Sequence, residues 1–185
     1  MTKTRLKGAG LAATGVLLAA LTMAPAAPAA GLGGKTILAP ETETIDALSA
    51  AGVTVAPAGA ASVNGKGIGF PITGGKVNAE TLEGKIQHKG GLTLANGHES
   101  LTVENFTVKI GPKNVIRAEV AGGGKVRLAD LDLSKAKIKQ RGGKVVVSNV
   151  DVLLAKRAAG ALSAVFGLPD LTGADLGDAT VKIKT

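Results

Sequence analysis

Thr81–Ile110 reads TLEGKIQHKGGLTLANGHESLTVENFTVKI. Leu82–His88 alternates, so Leu82, Gly84, Ile86 and His88 share one face of a strand. Gly90-Gly91 turns the chain, and Leu92–Ala95 follows as a second strand. Asn96-Gly97 is a two-residue hairpin signal, because both residues tolerate the positive φ of a type I′ turn. Glu99–Ile110 then changes phase. Leu101 and Val103 have one parity, and Phe106, Val108 and Ile110 have the other. One extra residue near Glu104-Asn105, a β-bulge, brings both sets to the same face. The stretch predicts antiparallel strands joined by tight glycine turns, a hairpin that sets the sheet. It also holds both histidines of the chain, His88 and His98.

The same pattern extends in both directions. Upstream, Lys66–Ile72 (KGIGFPI) is a strand anchored by Phe70, with Pro71 marking an edge or a bulge, and Gly74-Gly75 is a turn. Lys35–Leu38 predicts a short strand, Pro40 to about Ala51 a helix stopped by Gly52, and Val53–Ala56 a returning strand. Downstream, Asn114–Val120 is closed by Gly122-Gly123-Gly124, and Lys125–Leu133 alternates with a second slip near Ala129-Asp130. Lys137–Gln140 and Lys144–Leu153 form a hairpin about Arg141-Gly142-Gly143; the second is rich in β-branched residues and reads as a central strand. Leu154–Phe166 switches to helical spacing and ends at Gly167, with Pro169 beyond it. Thr180–Lys184 is a last alternating strand. Strands at intervals of roughly 8–12 residues with glycine turns predict a mainly β fold. The expected architecture is an antiparallel two-sheet β-sandwich, or flattened barrel, with two short helices.

The first 30 residues read differently. Lys3, Arg5 and Lys7 precede an apolar run, Leu11–Met23, and the small-residue tail Ala24–Ala30. That is the order of a cleaved signal peptide, and the run is shorter than the about 20 residues of a membrane span. The expected organisation is a signal peptide over 1–30, a strand–helix–strand extension over 31–64, and a β domain over 65–185. The product is secreted or associated with the cell envelope, and it meets a membrane only through the signal. Removing Lys3, Arg5 and Lys7 lowers the formal charge from +8 to +5. The remaining lysines scatter along the sequence, as on a solvated sheet face. With three Phe and no Tyr or Trp, the composition argues against nucleic acid, while an anionic cell-wall polymer or an envelope protein stays open as a partner.

The composition also excludes chemistry. Cysteine is absent, and both methionines, Met1 and Met23, fall in the first 30 residues. Thiolate nucleophiles, iron–sulfur sites and soft-metal sites are therefore ruled out. Ser100, Ser134 and Ser148 have no histidine and carboxylate at motif spacing, so the chain reads as a non-enzyme. Asp130 and Asp132 share a strand face, and their expected partners are Lys137 or Lys139 across a hairpin.

Several words in order resemble the HtaA domain family, secreted and surface proteins of actinobacteria connected with haem binding and uptake. They are GFPITGG at Gly69–Gly75, HKGGLTL at His88–Leu94, VRLADLDLS at Val126–Ser134, VVVSNVDVLLAKRAAGALSAVFG at Val145–Gly167 and ATVKIK at Ala179–Lys184. The similarity covers about Gly65–Thr185. It implies a two-sheet β fold, export, and haem held by an axial tyrosine with a supporting histidine in a glycine turn. His88 stands where that histidine is expected. The chain has no tyrosine, so the axial ligand has no counterpart. The resemblance makes His88, Gly90, Gly91 and Phe70 the candidate ligand-binding residues, for haem or another apolar small molecule, with His88 the remaining haem-ligand candidate. The competing reading of His88 is a partly buried ring whose nitrogens bond turn backbone groups. At the level of the whole protein, a binding module competes with a structural or adhesive cell-envelope protein that has no small-molecule ligand.

Overall fold

The computed structural model describes residues 32–65, 67–78 and 80–184. The signal peptide expected over residues 1–30 lies outside them. The described chain forms β1 (Gly33–Pro40), α1 (Thr42–Ala50), β2 (Thr54–Ala58), β3 (Ser62–Asn64), β4 (Gly67–Val77), β5 (Gly84–His88), β6 (Gly91–Ala95) and β7 (Ser100–Ile110). It continues with β8 (Val115–Val120), β9 (Lys125–Asp132), β10 (Lys137–Arg141), β11 (Lys144–Leu154), α2 (Lys156–Phe166) and β12 (Asp175–Lys184).

The fold is mainly β, and the sheet closes on itself. In hydrogen-bonding order the ring is β7-β5-β4-β1-β12-β11-β9-β8, and β8 pairs back to β7. Every pairing is antiparallel. The expected sandwich is thus resolved into its flattened-barrel alternative, a closed eight-stranded barrel with four further strands and two short helices. Closure satisfies every strand edge within the ring.

Three strands of eleven residues, β4, β7 and β11, build the corners. Each carries an extra residue near its middle, between Ile72 and Gly74, Glu104 and Thr107, and Val147 and Val150. Asn105 (φ +53°) and Asn149 (φ +58°) sit at two of these bulges in the left-handed region. Asparagine is among the few residues that adopt it at low cost. Each long strand also changes partner along one edge: β3 then β5 on β4, β6 then β5 on β7, and β10 then β9 on β11. A bulge bends its strand and increases the twist, so one half can stay in the ring while the other carries an outlying strand.

Several expectations change accordingly. Leu82–His88 and Leu92–Ala95 do not form a glycine hairpin; β5 and β6 lie end to end along β7, and the Asn96-Gly97 hairpin joins β6 to β7. Gly74-Gly75 is not a turn. It continues β4, because Gly75 takes φ +127° where the backbone passes so close to Lys85 that a Cβ would lie 2.1 Å from its carbonyl oxygen. Asp130 and Asp132 do not meet Lys137 or Lys139, because β9 and β10 share the edge of β11 rather than each other. Asp130 pairs with Arg127, and Asp132 accepts from the Ser134 amide at 2.8 Å. The strand expected in the 31–64 extension, β1, runs between β4 and β12 and is hydrogen-bonded on both edges to strands of 65–185. Thr36 is buried and Leu38 packs against the core of the ring, while Lys35 is exposed.

Two cores result. Ile72, Ile86, Val108, Val147, Val152 and Ile183 fill the ring. Leu48 of α1, Val53, Leu94 of β6 and Phe166 of α2 form a second cluster outside it, which explains why two short helices can be stable here.

Candidate functional site

The site is the inside of the barrel at the end of β5. His88 follows Ile86 at inward parity and pairs with Ile72 across β4, so its ring enters the core and retains 5 % exposure. The Asn105 bulge turns Phe106 inward beside it. Thr36 reaches the same space from β1. The Thr36 Oγ1 to His88 Nε2 distance is 2.7 Å, and His88 Nδ1 lies 3.3 Å from the Phe106 carbonyl oxygen. A carbonyl can only accept, so Nδ1 carries the hydrogen and Nε2 accepts from the Thr36 hydroxyl. The ring is held neutral: burial pushes its pKa down to about 4, against a smaller upward pull from the Phe106 carbonyl.

Above the ring is a cavity of about 80 Å³, with Leu38, Phe70, Leu92, Phe106, Ile116 and Leu128 among its walls. Phe70 and Phe106 pack edge to face, with ring centroids 5.0 Å apart. A second void of about 60 Å³ lies in the same barrel and shares Thr36, Val108, Ile116 and Ala179 as lining. The only polar side chains on the first cavity are Thr36 and His88, and they satisfy each other. An apolar void with satisfied polar groups stays dry and accepts apolar guests.

The sequence-derived candidates divide. His88 and Phe70 meet at the cavity. Gly90 and Gly91 do not line it; they let the chain cross tightly behind it. Gly90 accepts from the Asn105 amide at 3.0 Å, and a Cβ on Gly91 would lie 1.9 Å from the Val103 carbonyl oxygen. His98 is exposed at the β6–β7 turn, where Asn96 Oδ1 accepts from the amides of His98 and Glu99. Thr36 was not among the candidates, although its inward parity beside Leu38 was readable. Among the described residues no group of three or more His, Asp or Glu is placed to hold a metal ion. No described helix is long and apolar enough to cross a membrane.

A family model fits this chain over residues 47–167: that of HtaA, described as Htaa. The chain belongs to the HtaA family. The match begins inside α1, upstream of the Gly65 start of the sequence resemblance. Solved structures show the same fold. The C-terminal domain of HtaA from Corynebacterium glutamicum is 15 % identical, with a TM-score of 0.63 over 83 % of this chain and 98 % of that one. The N-terminal domain of the same protein is 14 % identical, with a TM-score of 0.59 over 82 % and 96 %. A domain-swapped dimer of a histidine-to-alanine variant of the C-terminal domain is 16 % identical, with a TM-score of 0.54 over 76 % and 88 %. No curated protein matches the chain.

HtaA domains are haem-associated, but the residues of this HtaA domain do not fit a haem. Tyr and Cys are absent, and Met occurs only at positions 1 and 23. Both ring nitrogens of His88 are engaged inside the barrel. The cavity beside it, about 80 Å³, is far smaller than the roughly 300 Å³ at which pockets for larger ligands begin. His98 is exposed.

Proposed function

We propose that this HtaA domain is an exported, non-enzymatic binding module that takes a small apolar molecule into the barrel beside His88, rather than haem. The observation that carries the reading is the cavity of about 80 Å³, apolar except for the mutually satisfied Thr36–His88 pair. His88 and Phe70 form its wall, and Gly90 and Gly91 hold the chain crossing that positions His88. The signal-like residues 1–30 support export. The shared family supports a binding role, with the ligand changed along with the loss of tyrosine.

Two titrations test this. Haemin added to the purified protein leaves its Soret band at the position of free haemin. Xenon shifts the methyl resonances of Leu38, Ile116 and Val152, and Ile116→Phe, which fills the wall shared by both voids, abolishes the response. A Soret shift lost in His88→Ala overturns the reading in favour of haem ligation. Methyl resonances indifferent to xenon remove the cavity as a site.

A further inference from the structure

The lysines that look scattered in sequence converge in the fold. β10, β11, β12 and β1 are neighbours, and their registers align the outward residues into rows. Lys139 faces Val146, which faces Lys182, which faces Lys35. Two residues along, Arg141 faces Lys144, which faces Lys184. All six cations are exposed. Neighbouring strands lie about 4.8 Å apart and successive outward residues about 7 Å apart, so the six occupy one compact field. Lys137 extends it by one step along β10.

No acid interrupts the rows. The acids of β11 and β12, Asp151, Asp175 and Asp178, lie toward the opposite end of these strands, and Asp151 is taken by Lys135 at 2.9 Å. The ion pairs found among the described residues are Lys125–Glu119, Arg127–Asp130 and Lys135–Asp151, all outside the field. Like charges in adjacent cross-strand positions destabilise a sheet. The fold tolerates that repulsion here, and a bound anion would relieve it. Two open depressions of about 420 and 480 Å³ run between the rows. They meet at Lys144 and Val146, where a short side chain lies between long ones. Both depressions are lined by cations of the two rows.

We propose that this outer face is a docking surface for a linear phosphate polymer lying across the two rows of cations. The face offers positive charge and open depressions between long side chains. Phe70, Phe106 and Phe166 are all buried, so no ring is available to stack a base. The exposed large apolar residues among those described are Val63, on β3, and Ile138, which has the opposite parity to Lys137 and Lys139 on β10; neither can enter a lipid surface from this face. A polyanion without bases or acyl chains is the partner that matches.

Binding of inorganic polyphosphate to the purified protein, followed at low and at physiological ionic strength, tests the proposal. The expected result is salt-sensitive binding, weakened about tenfold or more, with a shallower salt dependence, by the triple variant Lys139→Gln, Lys144→Gln, Lys182→Gln. The triple variant Lys89→Gln, Lys113→Gln, Lys156→Gln removes the same charge elsewhere and leaves affinity within about threefold. Thermal unfolding of each variant establishes that it is folded. The proposal is overturned by no binding, by equal loss in both variants, or by tighter binding to phosphatidylglycerol vesicles or a single-stranded oligonucleotide than to polyphosphate. The face lies outside the ring, so none of these outcomes bears on the cavity.

Discussion

His88 is a buried base that the fold keeps uncharged, and this makes stability depend on pH. The unfolded chain takes up a proton at this residue near pH 6.5, whereas the folded chain resists until about pH 4. As pH falls through that window the unfolded state gains protons first, so the folded state is penalised. Stability should be complete above about pH 6.5, decline by about 3 kcal/mol toward pH 4, and level off below it. Urea denaturation across this range should show the decline, and His88→Gln should remove it. The inward parity of His88 was legible from Ile86, two residues earlier. Its hydrogen-bond partner was not, because Thr36 is 52 residues away in the chain and strand neighbours leave no local mark. The missing tyrosine was legible outright.

The three long strands show what alternation can and cannot reveal. In β7 the phase change between Val103 and Phe106 marked the bulge, since no straight strand buries both residues. In β9 the slip falls at Leu128, between Arg127 and Ala129, one residue before the position read from the pattern. The exchange of partners along β4, β7 and β11 was invisible, because a strand's apolar period says which face is buried but not which edge is bonded. Hence Gly90-Gly91 looked like a hairpin turn and is a crossing. This gives Gly91 a specific weight. Gly91→Ala places a methyl group 1.9 Å from the Val103 carbonyl oxygen, so β6 must leave β7 or the crossing must move. A loss of about 3 kcal/mol is expected. Hydrogen exchange should show it first in the amides of β6 and β2, with the ring amides protected longer. Equal loss of protection throughout would show that the outlying strands and the ring open as one unit.

The whole barrel depends on β1. The sequence places Lys35–Leu38 in an extension because the words resembling other HtaA domains begin only near Gly65. The structure pairs β1 with β4 and β12, so its removal leaves two bare edges and an open core. We propose that residues 33–184 fold as one unit. A chain beginning at residue 41, or at residue 65, is expected to lack the cooperative thermal transition of a chain beginning at residue 32, as read by circular dichroism. A sharp transition in the shorter chains would instead support the division at residue 64. The charge field belongs to the same level of organisation: each lysine is unremarkable in its own strand, and only the registers of four strands assemble them.

The pairing of Gly33 with Lys184 has a consequence for how the molecule is made. The contact that seals the ring joins segments about 150 residues apart, and loop closure over such distances is slow. While the ribosome is still supplying β12, β1 has a partner on one side only, and the barrel interior stays wet. The last strand, the ten residues of β12, then acts as the latch that closes the ring.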